Sequence, residues 1–201
     1  MKQMMKRWIL GICSLLACVQ LRAADHEWLF RLQQAVQRMG AYEVQFDLET
    51  SDGYAVSGTY RVAGEHYWIE LPEMRVYSDG KARYEINDKA REVVIDAVDT
   101  QSRNLLDNPA HAFDFMGEQY AAETLTEQAE RITLRLTPRN IVAQTSIDLV
   151  LEKRTALPAA VTYASGDVQI AVRIRSIQKR DQPLPSFGKS DVPGYEWIDF
   201  R

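Results

Sequence analysis

The feature that most constrains this chain is a hydrophobic period of two that restarts after one turn signal after another. The stretch "RVYSDGKARYEINDKAREVVID", residues 75–96, shows it best. Ala82, Tyr84 and Ile86 alternate with Arg83, Glu85 and Asn87, between the turn signals Asp79-Gly80 and Asn87-Asp88. Side chains alternate between the two faces of a strand, so this pattern predicts a β-meander with one apolar face and one charged face. The same period runs through Tyr42, Val44, Phe46 and Leu48, then Val56, Tyr60 and Val62, then Tyr67, Ile69 and Leu71. Gly58 interrupts the second set and predicts a bulge or a close approach of backbone. Further sets follow at Ile132, Leu134 and Leu136, at Ile147, Leu149 and Leu151, at Val161 and Tyr163, and at Val168, Ile170, Val172 and Ile174. About nine or ten strands with short connections are expected, pairing antiparallel with their neighbours.

Two segments break the period. In "DHEWLFRLQQAVQRMG", Trp28, Leu32, Ala35, Val36 and Met39 form one apolar stripe at helical spacing, with Asp25 as candidate N-cap and Gly40 as candidate stop. Residues 100–128 lack any period of two. Leu105, Leu106, Phe113, Phe115 and Met116 cluster there, and Asn108-Pro109 predicts the start of a short helix. The tail from residue 179 is Pro-rich and irregular. Its Phe187, Tyr195, Trp197 and Phe200 predict that it packs on the rest of the protein.

The first 23 residues read as a secretory signal peptide rather than as part of the fold. Lys2, Lys6 and Arg7 precede an apolar run from Trp8 to Leu21, which is shorter than the about 20 residues a membrane-spanning helix needs. "LRAAD" then supplies small residues for cleavage after Ala23 or Ala24. A competing reading is acylation of Cys18 in "LLAC". Both cysteines, Cys13 and Cys18, lie in this leader, so the remainder, 24–201, is expected to be one domain without disulfides, thiol nucleophiles or thiolate ligands. It carries 20 basic and 28 acidic residues, a net charge of −8. That balance disfavours nucleic acid and anionic membrane surfaces as partners.

No catalytic, cofactor or metal signature is present. His26, His66 and His111 have no ligand spacing, and there is no nucleophile elbow, phosphate loop or dinucleotide motif. The many carboxylates sit mostly on the polar parity of the strands, where solvated faces explain them; a hydrolytic pair remains an alternative. Arg131, Arg135 and Arg139 read as the wet side of a strand, with a docking row as the competing reading. Such a mainly β chain, with one long helix and a short helical region, can close into a sandwich or barrel. It can also stay a curved, unclosed half-barrel with helices across its mouth.

The order of "GTYRV", "HYWIEL", "VYSDGKARYEIN", a helical segment, more strands and the closing "FGKSDVPGYEWID" resembles the outer-membrane lipoprotein carrier (LolA-like) family. The resemblance spans essentially the whole chain after the leader and identifies a divergent member. It implies an unclosed β-barrel with an α-helical lid over a hydrophobic cavity. It also implies a monomeric, non-enzymatic periplasmic chaperone without cofactor or metal, which carries acylated lipoproteins or lipid between an inner-membrane transporter and an outer-membrane acceptor. On this chain the acyl cavity is expected against Phe46, Leu48, Tyr60, Tyr67, Ile69, Leu71, Tyr84 and Ile86. The lid is expected from Trp28, Leu32, Val36, Leu105, Leu106, Phe113, Phe115 and Met116. One implied piece is missing: a basic residue followed by Pro, which helps hold the lid, is replaced by Ala63-Gly64-Glu65, with Arg61 nearby. The other readings are a lipid-sensing or regulatory module on the same half-barrel, a membrane-fixed acceptor if Cys18 is acylated, and a glycan hydrolase.

Overall fold

The computed structural model describes residues 26–102, 105–114, 120–139, 146–165 and 168–201. The leader, with its cleavage site and Cys18, and the lid candidates Phe115 and Met116 lie outside the described residues. Helix α1 spans 26–39, and Gly40 follows it with φ +67°, its N–H bonded to the Gln37 carbonyl at 3.2 Å. A left-handed residue without Cβ ends a helix at little steric cost.

Twelve strands follow, all in one sheet. They are β1 (Ala41–Thr50), β2 (Ala55–Ala63), β3 (His66–Glu70), β4 (Arg75–Ser78), β5 (Ala82–Asn87) and β6 (Glu92–Ala97), then β7 (Tyr120–Glu127), β8 (Arg131–Pro138), β9 (Ser146–Glu152), β10 (Pro158–Ser165), β11 (Val168–Lys179) and β12 (Glu196–Asp199). Their order is β12-β6-β5-β4-β3-β2-β1-β11-β10-β9-β8-β7. Two antiparallel meanders, β1–β6 and β7–β11, are therefore joined side by side through the pairing of β1 with β11. The sheet does not close, and the fold is the open half-barrel with a helical lid that the resemblance implies.

That order dictates two long crossings. β6 lies beside one edge of the sheet and β7 forms the other, so residues 98–119 must span the whole sheet. β11 is central, while β12 adds to β6 in parallel at the edge, so the tail must cross as well. Each crossing covers apolar side chains on a different face. The inner face carries the larger cluster, with Val44, Phe46, Tyr60, Tyr67, Ile69, Leu134, Leu149 and Val161 under Leu29 and Leu32 of α1 and Leu105, Ala112 and Phe113 of the 105–114 loop. The outer face carries the second, with Trp68, Tyr77, Ile86, Val93 and Ile95 under Leu184, Phe187, Tyr195 and Trp197 of the tail.

Three expectations need correction. First, there are twelve strands and not nine or ten, and one pairing is parallel. β7, "YAAETLTE", carries small and polar residues with weak contrast, because an edge strand pairs on one side only. β12 is four residues held by its docked aromatics. Second, no helix forms in 105–114. His111 N–H bonds the Asn108 carbonyl and Asp114 N–H bonds the His111 carbonyl, giving successive turns. The Asn108 amide donates to the Asp99 carbonyl at 3.1 Å and fixes the loop to its own start, where a cap would have turned it inward on a helix. Third, Tyr84 and Ile86 belong to the outer cluster and not to the inner one. The β4–β5 hairpin pairs Tyr77 with Tyr84, so both point to the face opposite Tyr67 and Val76.

Candidate functional site

The inner face is built by alternation. On β1 the odd-numbered neighbours Glu43, Gln45 and Asp47 point outward, while Tyr42, Val44, Phe46 and Leu48 are buried in the inner cluster. Across the β1–β2 ladder Val44 faces Tyr60, and across β2–β3 Tyr60 faces Ile69 and Val62 faces Tyr67. Phe46 lies opposite Gly58. A Cβ on Gly58 would sit 2.6 Å from both Phe46 Cζ and Leu71 Cδ2, so the missing side chain lets these two rest on the strand. The close approach anticipated at Gly58 is thus present.

Of the eight cavity candidates, Phe46, Leu48, Tyr60, Tyr67 and Ile69 come together in the inner cluster, with Leu71 half-buried against it. Tyr84 and Ile86 are on the other side of the sheet. Of the lid candidates, Leu32, Leu105 and Phe113 are buried on this cluster, and Trp28, Val36 and Leu106 pack at its margin. Leu29 was missed by the stripe and is buried in it. The outer pair Trp68 and Tyr77 was also missed. The signal was there, because "YWI" and "VY" place apolar residues at consecutive positions, as strands buried on both faces do.

The candidate interior is packed in this state. Phe46 and Tyr60 have no exposed surface, Ile69 1% and Leu48 2%, in the same cluster as Leu29, Leu32, Leu105 and Phe113. An acyl chain would have to displace the lid to reach them. Two clefts adjoin the cluster. One, of about 270 Å³, follows the seam between α1 and the 105–114 loop, lined by Val36, Tyr42, Glu65, His111 and Phe113. The other, of about 450 Å³, opens at the rim between Tyr54, Val56, Leu71 and Met74.

Polar contacts also tie the loop down. The Tyr67 hydroxyl donates to the Asp107 carbonyl at 3.0 Å, and the Tyr163 hydroxyl bonds the backbone of Leu105. His111 Nε2 lies 2.9 Å from a Glu65 carboxylate oxygen, while its Nδ1 is 3.6 Å from Asp114. Glu65 occupies the place where the resemblance implied a basic latch. The contact joins an acid of the β2–β3 turn to an imidazole of the 105–114 loop. Arg61 takes no part: it points outward to Glu43 and Glu70, at 2.7 Å each.

Burial pushes the phenols of Tyr42, Tyr60 and Tyr163 up, so the inner face presents neutral hydroxyls. Among the described residues the buried polar side chains are Ser78 and Asn108, and none is charged. Also among them, no three His, Cys, Asp or Glu side chains are grouped to hold a metal ion, and no helix is long and apolar enough to cross a membrane. Arg131 and Arg135 pair across the β8–β9 ladder with Glu152 and Asp148, as the wet side of a strand does, and Arg139 donates to the Tyr120 carbonyl.

No protein-family model matches the chain, and no curated protein matches it in sequence. Solved structures do match. An uncharacterized conserved protein from Thermus thermophilus is similar with a TM-score of 0.56 at 8% identity, over 88% of this chain and 99% of that one. A LolA superfamily protein from Nitrosomonas europaea gives 0.43 at 10% identity, over 79% and 94%. The MucA/MucB complex of Pseudomonas aeruginosa gives 0.43 at 17% identity, over 82% and 61%. The first of these shows a shared fold.

Proposed function

We propose that this protein is a non-enzymatic carrier in the periplasm, which holds the acyl chains of lipid-anchored proteins or of lipid against the inner face of its half-barrel. The observation that carries the reading is the 105–114 loop: a crossing over the apolar face, seated by side-chain packing and polar ties, with no strand ladder among its described residues. Such a cover can leave without breaking the sheet.

Magnitudes favour exchange of lid for acyl chain. Leu29, Leu32, Leu105 and Phe113 are the main buried lid side chains, each contributing about 2 kcal/mol by burial, or about 8 kcal/mol together. One palmitoyl chain of about 15 methylenes gains about 12 kcal/mol at roughly 0.8 kcal/mol each. The acyl chain therefore outcompetes the lid, whereas a short apolar ligand does not. This explains how an interior that is packed when empty can still be a container.

The test is to express the protein in its native envelope, purify it without detergent, and identify by mass spectrometry what accompanies it. Acylated protein near one-to-one is the expected result. Free lipid in its place would move the function towards lipid transport or sensing. A protein that arrives empty and also ignores an added fluorescent acyl probe would sink the carrier reading and leave the inner face as plain core.

A further inference from the structure

Four tyrosines are buried in the inner cluster, Tyr42, Tyr60, Tyr67 and Tyr163, and Tyr120 packs half-buried against it. A phenol in an apolar interior costs stability unless its hydroxyl is bonded. Tyr67 and Tyr163 satisfy this through the lid loop, on the carbonyl of Asp107 and the backbone of Leu105. Tyr60 is different. It has no exposed surface, its ring sits edge-on to Tyr42 at 6.3 Å and 5.9 Å from Phe46, and among the described residues its hydroxyl has no hydrogen-bond partner. Phenylalanine would fill the same space without that cost. A donor has been placed where the empty protein makes no use of it.

We infer that the Tyr60 hydroxyl is the anchor for the carbonyl oxygen of an esterified or amidated acyl chain. The inference rests on the carrier reading and deepens it, by naming the chemistry the interior selects. Tyr60 is neutral and can donate one hydrogen bond to an acceptor that arrives with the ligand. The groups acting on the Tyr60 hydroxyl are the phenols of Tyr42 and Tyr163, while the Arg83 guanidinium acts on Tyr67, so a free carboxylate at Tyr60 would lie without a counter-charge of its own. A neutral ester or amide carbonyl meets the donor without bringing a charge. An alkyl ether of the same length meets it poorly. The site should therefore prefer acyl glycerides and N-acyl groups over both alkyl ethers and free fatty acids.

The experiment compares three probes by displacement of a polarity-sensitive fluorophore: 1-monopalmitoylglycerol, its ether analogue 1-O-hexadecylglycerol, and palmitate. The wild-type protein should bind the ester about fivefold more tightly than the ether, the span one neutral hydrogen bond supplies. Tyr60→Phe should erase that preference by weakening ester binding about fivefold relative to the ether. The same substitution should raise the melting temperature of the empty protein by about 3 °C, because it removes an unpaired buried hydroxyl. Equal binding of ester and ether by the wild type would overturn the inference and leave the carrier reading standing. A lowered melting temperature for Tyr60→Phe would also overturn it, since the hydroxyl would then have a partner in the empty state. Failure of all three probes to bind the wild type would overturn both.

Discussion

The lid loop on the inner face and the C-terminal tail on the outer face both span strands that lie far apart in one sheet, and they are secured in different ways. The tail ends in β12, which joins the β6 ladder from Glu196 to Asp199, and Phe200 N–H continues to the Ile95 carbonyl. The Trp68 indole N–H donates to the Pro185 carbonyl at 2.9 Å, and the Tyr195 hydroxyl to Asp88 at 3.0 Å. The tail's Phe187 and Trp197 join Trp68, Tyr77 and Tyr84 of the sheet in a group of five aromatic rings, each within 6.3 Å of a neighbour. The described part of the lid has no strand pairing. It rests on aliphatic side chains and on the ties from Tyr67, Tyr163 and His111. A backbone ladder is lost only with the sheet, while side-chain seating can be lost locally. We propose that one face of this protein is therefore closed permanently and the other provisionally.

The largest effect should come from the permanent side. Trp68→Ala removes a ring that is 8% exposed and touches both Tyr77 and Phe187. It should cost about 3–5 kcal/mol in urea unfolding. Binding of an acyl probe by the protein that remains folded should not change; a matching loss of binding would erase the distinction between the faces. On the inner side, Gly58→Ala should cost about 1–3 kcal/mol, because the new methyl meets the rings and branches of Phe46 and Leu71, and Phe46 has nowhere to go. A neutral result would show that the interior is looser than its burial implies.

How much of this was legible in the sequence differs by face for the same reason. Alternation marks which residues of a strand share a side, and the inner sets on β1, β2, β8 and β9 follow from it directly. It does not say on which side of the finished sheet a set will lie. Tyr84 and Ile86 alternate cleanly, yet the Tyr77–Tyr84 pairing sends them outward. The doubly apolar runs at Trp68 and Tyr77 carry that information, since a strand covered on both faces loses its polar parity. The lid was legible as apolar content and as a break in period, but its form was not. Asn108-Pro109 suits a helix start, and tertiary anchoring of Asn108 to Asp99 overrides that local preference. β12 escaped because four residues pairing in parallel have no pattern long enough to read. Likewise, no spacing rule links Glu65 to His111; only the folded crossing brings them together.

The provisional side can be probed at that contact. His111→Ala removes the Glu65 tie while leaving Leu105 and Phe113 in place. One hydrogen bond is worth about 1 kcal/mol, so the lid-open population should rise about fivefold while global stability falls by no more than about 1 kcal/mol. Stopped-flow association of an acyl probe reads that population, and its rate should rise in proportion. An unchanged rate would mean that the loop is held by its apolar contacts alone, or that entry uses the rim cleft at Tyr54 and Met74 instead.

The smallest effect belongs to the tail and comes with a sign. The Arg75 guanidinium, at 2.6 and 3.0 Å, holds the Asp88 carboxyl below the usual carboxylate range, and the Tyr195 hydroxyl from the tail adds to this. A carboxylate lowered in the folded state contributes stability that is present above its ordinary pKa, near 4, and is lost as pH falls through the lowered value. The group is about half exposed, so solvent keeps the contribution to a few tenths of a kcal/mol. Wild type should therefore melt slightly above Asp88→Asn at pH 7, with the difference closing as pH falls below about 4. Because Tyr195 is on the tail, amide exchange in β12 should quicken over the same interval, while exchange in the 105–114 loop does not. Acid would then loosen the permanent cover without touching the provisional one. If both loosen together, the two crossings are one cooperative unit, and the lid cannot open alone.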